Sequence, residues 1–138
     1  MPDDLPFANY SYPADGKPPL LAFVGEAPGA DEIKLGRPFV GRAGQLLDRV
    51  LQTVGIDRDR CLIANVFRYR PPDHKVGHFF ASRRRALAES DPLDETWGRL
   101  GAEYCRARFA DELEALSRVL RRTAPPVIVA LGRTPLWA

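Results

Sequence analysis

A glycine-rich segment holds the first residues that could do chemistry. It reads GEAPGADEIKLGRPFVGRAG over residues 25–44, contains five glycines and two prolines, and directly follows the apolar run LLAFV. So many glycines and prolines predict a loop without regular helix or strand. Glycine-rich loops can bind phosphate through backbone N–H groups, but this one matches neither GxxxxGK[ST] nor GxGxxG, and its prolines lack that donor. A nucleotide-binding domain is therefore only a distant alternative.

Asn65 is the second candidate, because it ends another apolar run, CLIAN. A buried amide needs hydrogen-bond partners, so Asn65 is either a satisfied core residue or a ligand-binding group. The glycine-rich loop and Asn65 both fall at the carboxyl ends of predicted strands, where open parallel sheets bind their ligands. We expect the two to share one pocket.

Three short apolar runs, LLAFVGE, CLIANVF and PVIVALG, predict strands that are buried on both faces. Two amphipathic patterns separate them and predict helices. The first ends at Gly55 and has apolar residues at steps of three and four: Leu46, Leu47, Val50, Leu51 and Val54. The second runs from about Ala102 to Arg122 and has one apolar face: Cys105, Phe109, Leu113, Leu116 and Leu120.

Alternating strands and helices predict parallel crossovers, so the fold class is α/β, a three-layer α/β/α sandwich around a central parallel sheet. Residues 1–18 are rich in proline and aspartate and are interpreted as an N-terminal arm, either extended or poorly ordered. The domain itself is predicted to span residues 19–138. Residues 67–101 show no clear period, and so long a connection is often functional.

The composition of the 138 residues, 45% hydrophobic and 28% charged with a net charge of +2, is typical of one soluble domain. No apolar run approaches the roughly 20 residues of a membrane span, and the N-terminus lacks the pattern of a signal peptide, so we expect a cytoplasmic protein.

The two cysteines are too few for a disulfide framework, and Cys61 is expected in the core. His74 and His78 are expected at the surface rather than in a metal site.

The segment GEAPGADEIKLGRPFVGRAGQLLD closely resembles the first motif of the uracil-DNA glycosylase superfamily, in the branch called family four, whose pattern is GE[GA]PG followed by GxPFVGxAGxLL. The resemblance continues through CLIANVFRYRPP and through YCRARFADELEALSRVLRRTAPPVIVALGRTPLWA. It covers the chain from about Pro19 onward, except the middle of residues 67–101. It implies a DNA-repair enzyme that hydrolyses the bond between uracil and deoxyribose.

The resemblance also implies roles for individual residues. Phe39 would stack on the flipped uracil, Asn65 would read its edge, and Glu26 would be the catalytic carboxylate. Related branches have a water-activating aspartate one position later, where this chain has Ala27, so strong base catalysis is not expected. Glu32 matches an acidic position that would exclude the methyl group of thymine, and a solvated loop carboxylate is the alternative. Small residues would let the base approach the backbone closely: Gly25, Ala27 and Gly29.

Uracil-containing DNA is the implied partner. Its phosphates would be contacted by arginines, and the candidates are Arg37, Arg42, Arg83, Arg84 and Arg85. If they bind DNA, affinity should fall steeply with salt. A non-catalytic module that binds uracil-containing or single-stranded DNA is the main alternative.

Most members of the family hold a four-iron four-sulfur cluster through four cysteines. Here the N-terminal pair is absent, Tyr69 occupies the third position, and only Cys105 falls at the fourth. One thiolate cannot hold the cluster, so no cofactor is expected. We expect Tyr69 and the aromatic run HFFA to fill that volume.

The family also continues past the segment that resembles VALGRTPLW, with a further strand and a His-Pro-Ser motif whose histidine stabilises the leaving uracil. This sequence contains neither. The expectation is therefore either a fragment of a longer enzyme or a short relative. The flank where the further strand would pair is expected to be apolar and to be covered by a partner or a second copy.

Overall fold

A three-stranded parallel sheet forms the centre of the fold in a computed structural model, which describes residues 4–138. Six strands are present in this range: β1 Ala22–Gly25, β2 Leu62–Asn65, β3 Phe80–Ala81, β4 Leu93–Asp94, β5 Tyr104–Arg106 and β6 Ile128–Ala130. Five α-helices accompany them: α1 Ala30–Leu35, α2 Arg42–Val54, α3 Arg83–Glu89, α4 Ala110–Thr123 and α5 Arg133–Trp137. Short 3-10 turns lie at Arg58–Arg60, Pro72–His74, Val76–Phe79 and Ala107–Phe109.

The central sheet has the order β2-β1-β6, and all its pairings are parallel. Residues 22 and 24 of β1 contact the core cluster that contains α4, whereas Phe23, between them, contacts the cluster that contains α2. Alternate side chains of a strand point to opposite faces, so the two helices cover opposite faces of the sheet. The three predicted strands and the α/β sandwich are thereby confirmed. The predicted burial on both faces holds for β1 and β2 but is wrong for β6, where Ile128 is 51% exposed because no further strand within residues 4–138 pairs with its outer edge.

Helix α2 is confirmed, and it ends at Gly55, whose left-handed φ of 75° is the expected C-terminal cap. Only part of its predicted apolar stripe is covered, however. Leu47 and Leu51 are buried against the sheet, whereas the remaining apolar members of the stripe are at least half exposed: Leu46, Val50 and Val54. The row at positions 47 and 51 alone faces the sheet, because a helix that lies on a flat surface buries one i, i+4 row completely.

The prediction that a helix begins near Ala102 is wrong. Residues 104–106 form β5, which lies between β3 and β4 in a second, antiparallel sheet, and α4 begins only at Ala110. Cys105 and Phe109 are four residues apart, which suits a helix, but Cys105 pairs with Phe80 and Asp94 across the strands. These partners come from residues 67–101, which contain two short strands and α3 rather than an irregular loop.

The N-terminal segment extends along the outer edge of β2. Ser11 and Ile63 exchange two backbone hydrogen bonds of 2.8 and 2.9 Å, and Phe7 forms a bridge with Tyr69. Residues 1–3 of the predicted arm lie outside the described residues. No helix within residues 4–138 is long and apolar enough to cross a membrane.

Candidate active site

The carboxyl ends of β1 and β2 lie side by side, with Gly25 opposite Asn65. The pairing continues one step further, because the N–H of Val66 donates to the carbonyl of Gly25 and the N–H of Phe67 donates to that of Glu26, at 2.8 and 3.1 Å. A cleft of about 380 Å³ opens at this edge. It brings together the loop and the strand end that the sequence predicted to share a pocket; the predicted site residues that line it are Gly25, Glu26, Ala27, Gly29, Glu32, Phe39, Arg42 and Asn65.

The ring of Phe39 and the amide of Asn65 meet at Gly25. A Cβ atom on Gly25 would overlap the Phe39 ring and would lie 2.6 Å from Oδ1 of Asn65. Phe39 has a φ of 54°, which is uncommon for a residue with a side chain, and a Cβ on Gly44 would overlap its carbonyl. Glycine at both positions therefore lets the Phe39 ring lie beside the end of β1.

Asn65 is only 4% exposed, yet no group within residues 4–138 hydrogen-bonds to its side-chain amide. Because Asn65 lines the cleft, its amide can hydrogen-bond to a molecule or to water there. The structure places Asn65 on the lining of the cleft, and its role there stays a prediction. The amide offers one acceptor and two donors to a molecule in the cleft.

Glu26 is exposed at the cleft and accepts a 2.5 Å hydrogen bond at Oε2 from the hydroxyl of Thr134. Thr134 lies in α5, directly after β6, and is 2% exposed. The sequence analysis missed Thr134, because 108 residues separate it from Glu26 and no local pattern marks it.

The six-residue helix α1 lies wholly inside the glycine-rich segment, whose first residue ends β1 and whose last three residues begin α2, so the prediction of a wholly irregular loop is wrong. Helix α1 ends at Gly36, which has a left-handed φ of 66°. The Glu32 carboxylate lies between the two glycines on either side of α1: its oxygens are 3.5 Å from the Cβ position of Gly29 and 3.2 Å from that of Gly41. Glu32 thus forms part of the cleft wall.

The two histidines lie in different surroundings, and the surface position predicted for His74 is confirmed. His74 is exposed but lines the cleft, and its Cε1 lies 3.6 Å from the Cβ position of Gly29. His78 is half-buried, with its ring at the edges of Phe79 and Phe109. Burial, aided by the charge of Arg106, lowers the pKa of His78. The surface position predicted for His78 is wrong.

The predicted DNA-binding arginines divide into two groups. Arg37 and Arg42 are exposed on the segment that borders the cleft. The other three lie on α3, and none of them lines the cleft. Arg83 makes two hydrogen bonds of 2.9 and 2.7 Å to Glu95, and Arg85 pairs with Glu89 at 3.0 Å. Arg84 forms no ion pair with any of residues 4–138.

The residues of this chain do not fit a four-cysteine iron–sulfur cluster. Cys61 and Cys105 are both buried and belong to different core clusters. Burial raises the pKa of Cys105 to about 12, which keeps the thiol protonated. Tyr69 packs edge-on against Phe7, with ring centroids 5.2 Å apart. Within residues 4–138, no three or more His, Cys, Asp or Glu side chains are grouped so that they could hold a metal ion.

The fold and the cleft define an α/β protein whose site lies at the carboxyl edge of a parallel sheet, and comparison with known families agrees with the sequence resemblance. The family model described as the uracil DNA glycosylase superfamily matches residues 14–137, and the chain belongs to this superfamily.

Curated relatives carry the description type-4 uracil-DNA glycosylase, which confirms the resemblance to family four. The relative from Archaeoglobus fulgidus is 37% identical over 113 residues, which is 82% of this chain and 43% of that protein. The relative from Thermotoga maritima is 44% identical over 72 residues, 46% of this chain and 38% of that protein. The relative from Pyrobaculum aerophilum is 44% identical over 78 residues, 54% of this chain and 40% of that protein. The matches thus span less than half the length of these relatives.

Proposed function

We propose that this chain hydrolyses the N-glycosidic bond of uracil in DNA. The observation that carries the proposal is the meeting of the Phe39 ring and the unpaired Asn65 amide at Gly25, inside a cleft that also holds the Glu26 carboxylate. The ring supplies a flat surface, the amide supplies hydrogen bonds and the carboxylate supplies a negative charge. A glycosylase needs all three to bind and release a base that has left the DNA stack.

Asn65 would select the base. Uracil presents an N3–H donor beside an O4 acceptor, which the carboxamide oxygen and NH₂ of Asn65 can match. Cytosine presents an acceptor and a donor in the reverse order, so it would leave buried polar groups unpaired in the same position. A site built to pair with one pattern discriminates strongly against the other. The absence of a partner for Asn65 within residues 4–138 supports this role.

Phe39 would form the surface on which the flipped uracil stacks. An aromatic face is worth about 1–3 kcal/mol per stacked base, which offsets part of the cost of unstacking. The close contact of its ring with the end of β1 holds this surface in place before the substrate arrives.

Glu26 would act on the sugar. As the bond between C1′ and N1 breaks, its electron pair leaves with the uracil and positive charge develops on the deoxyribose. A nearby carboxylate stabilises that charge and orients the water that adds to C1′. Because Ala27 stands where related branches have an aspartate, the proposal gives Glu26 this electrostatic role rather than that of a strong base. Glu32 on the cleft wall would crowd the C5 side of the base and exclude the methyl group of thymine.

The proposed reaction needs no cofactor, since the chemistry assigned above uses only side chains of the cleft. Arg37 and Arg42 beside the cleft, with the arginines of α3, are proposed to contact the DNA backbone.

We place the activity in the cytoplasm. A partner or a second copy is proposed to cover the outer edge of β6, where three apolar residues are exposed: Val127, Ile128 and Leu131.

Uracil release from a single-stranded deoxyuridine oligonucleotide tests the proposal. Release should be abolished by Glu26→Gln and by Asn65→Ala, whereas Glu114→Gln on the exposed side of α4 should behave as the wild type. Retained binding with no release at high protein concentration would instead support the non-catalytic module. Thermal stabilisation by a nucleotide without any response to uracil would favour the unrelated nucleotide-binding domain.

A further inference from the structure

Only one of the two carboxylate oxygens of Glu26 is hydrogen-bonded within residues 4–138. Oε2 accepts the hydroxyl proton of Thr134 at 2.5 Å, whereas Oε1 has no hydrogen-bond partner within residues 4–138. The donor is almost completely buried, and the acceptor is an exposed side chain on the cleft. A buried hydroxyl that reaches outward to an exposed carboxylate needs a reason, because water could satisfy Glu26 equally well.

The fold places Thr134 there by two features. Strand β6 pairs in parallel with β1, and the pairing extends to a 2.8 Å hydrogen bond from the N–H of Leu131 to the carbonyl of Val24. Gly132 follows with a φ of 120°, a conformation that side chains disfavour, and turns the chain into α5 beside the end of β1.

Helix α5 also packs against the core through residues other than Thr134. The ring of Trp137 packs edge-on against Phe80, with centroids 5.4 Å apart, and Pro135 is buried. Thr134 is therefore held by the core of the domain.

We propose that Thr134 is a positioning residue for Glu26. Its hydroxyl fixes Oε2 and leaves Oε1 as the oxygen that faces the sugar and the attacking water. A glutamate side chain otherwise samples many rotamers, and an oriented charge stabilises a transition state without reorganising during the reaction. This inference rests on the proposed function, because it assigns Thr134 a role in the same reaction.

Three variants test the role. Thr134→Val keeps the shape and removes the donor, Thr134→Ser keeps the donor, and Thr123→Val is the matched control, because the Thr123 hydroxyl donates to the carbonyl of Val119 at the end of α4. In Thr134→Val we expect kcat for uracil release to fall about 10- to 100-fold, the usual effect of losing a hydrogen bond to a charged group. KM should stay near the wild-type value, because Phe39 and Asn65 are unchanged.

Thr134→Ser should recover most of the rate, and Thr123→Val should match the wild type. Equal kcat in Thr134→Val and the wild type, or equal loss in the serine and valine variants, would overturn the inference. The melting temperature of every variant is measured first, and Thr134→Ala replaces Thr134→Val if the valine variant does not fold.

Crystal structures of the wild type and Thr134→Val separate this inference from the proposed function. Loss of the ordered Glu26 side chain in the variant supports positioning by Thr134, and an unchanged Glu26 rotamer rejects it. If the wild type releases no uracil, the proposed function fails, while the two structures still decide whether Thr134 orients Glu26.

Discussion

Two neighbouring regions of this molecule differ in how completely their side chains are packed and paired. The cleft at the carboxyl edge of the parallel sheet contains an unpaired buried amide, a phenylalanine with left-handed φ and glycines at close contacts. The aromatic cluster beside β3 and β5, which we define as Phe67, Phe79, Phe80 and Phe109, is almost completely buried and tightly packed, with Phe67 stacked on Phe79 at 4.2 Å.

The two regions meet in the chain itself, because Asn65 of the cleft and Phe67 of the cluster are two residues apart. Under the proposed function, stability and binding depend on separate residues at one strand end. The cluster holds β2 in place, and the cleft keeps polar groups available that a stable core would pair. Substitutions in each region should therefore affect different measurements.

The largest effect is expected from Phe79→Ala. The ring is completely buried between Phe67 and Phe109, so its removal leaves a cavity and should lower the free energy of unfolding by about 3–5 kcal/mol. Denaturant unfolding measures the change. If the variant loses uracil release but not stability, the separation of the two regions is wrong.

Gly25→Ala should give the next largest effect, in the cleft. The added Cβ overlaps the Phe39 ring and crowds Oδ1 of Asn65, so one of them must move. A displacement of about 1 Å costs on the order of 100-fold in rate, and we expect that loss in single-turnover uracil release. Gly77→Ala is the control, since a Cβ there contacts nothing within 4 Å. An active Gly25→Ala variant would contradict the assigned geometry.

Phe39→Leu sharpens the contrast, because it keeps an apolar side chain and removes the aromatic face. We expect binding of a uracil-containing oligonucleotide to weaken by about 1–3 kcal/mol, the value of one base on an aromatic ring. The melting temperature should change little, since Phe39 is only partly buried. Fluorescence anisotropy gives the affinity. Unchanged affinity would show that the ring is not the stacking surface.

The arginines should show a smaller effect, visible in the salt dependence. Arg42→Gln should reduce the slope of log affinity against log salt by about 1, because one phosphate contact is lost. Arg84→Gln is the equivalent test on α3, because Arg84 is the arginine of that helix that forms no ion pair with residues 4–138. If its slope equals that of the wild type, the α3 arginines do not contact DNA.

The smallest effect is expected from His78, beside the aromatic cluster. Because burial lowers the pKa of His78, the unfolded chain binds the proton more readily than the folded chain. Stability should therefore be unaffected above about pH 6.5 and decline as the pH falls below that value. His78→Phe should reduce this decline between pH 7.5 and 5.5 in thermal unfolding. An equal decline in both proteins would assign it to other groups.

The sequence predicted the parts of the fold that local pattern determines. The strands around Val24 and Ala64 are continuous apolar runs, and Gly55 marks the end of α2 in both sequence and structure. Strand β5 was mistaken for helix, because Cys105 and Phe109 have helical spacing and the strand's partners lie in a segment without a period.

For the site, the dense motif of residues 25–44 predicted roles for Glu26 and Phe39, and the structure places both on one cleft with Asn65. Thr134 and His74 were missed for a physical reason. Both reach the cleft only through the tertiary fold. Thr134 follows β6, the strand that pairs with β1, and contacts Glu26 from there. His74 reaches the cleft through a turn in which residues 73 and 74 both have left-handed φ. A single sequence does not encode such contacts in any local spacing.

The backbone bonds from Val66 and Phe67 to the end of β1 also give the cleft two walls with different dynamics. These amides belong to completely buried residues beside the aromatic cluster, so their hydrogens should exchange with solvent only when the whole domain unfolds. Helix α1 also lines the cleft but has no buried residue, so we expect its amides to exchange through local opening. In a hydrogen-exchange measurement, the amides of Val66 and Phe67 should therefore be protected far longer than the amides of α1.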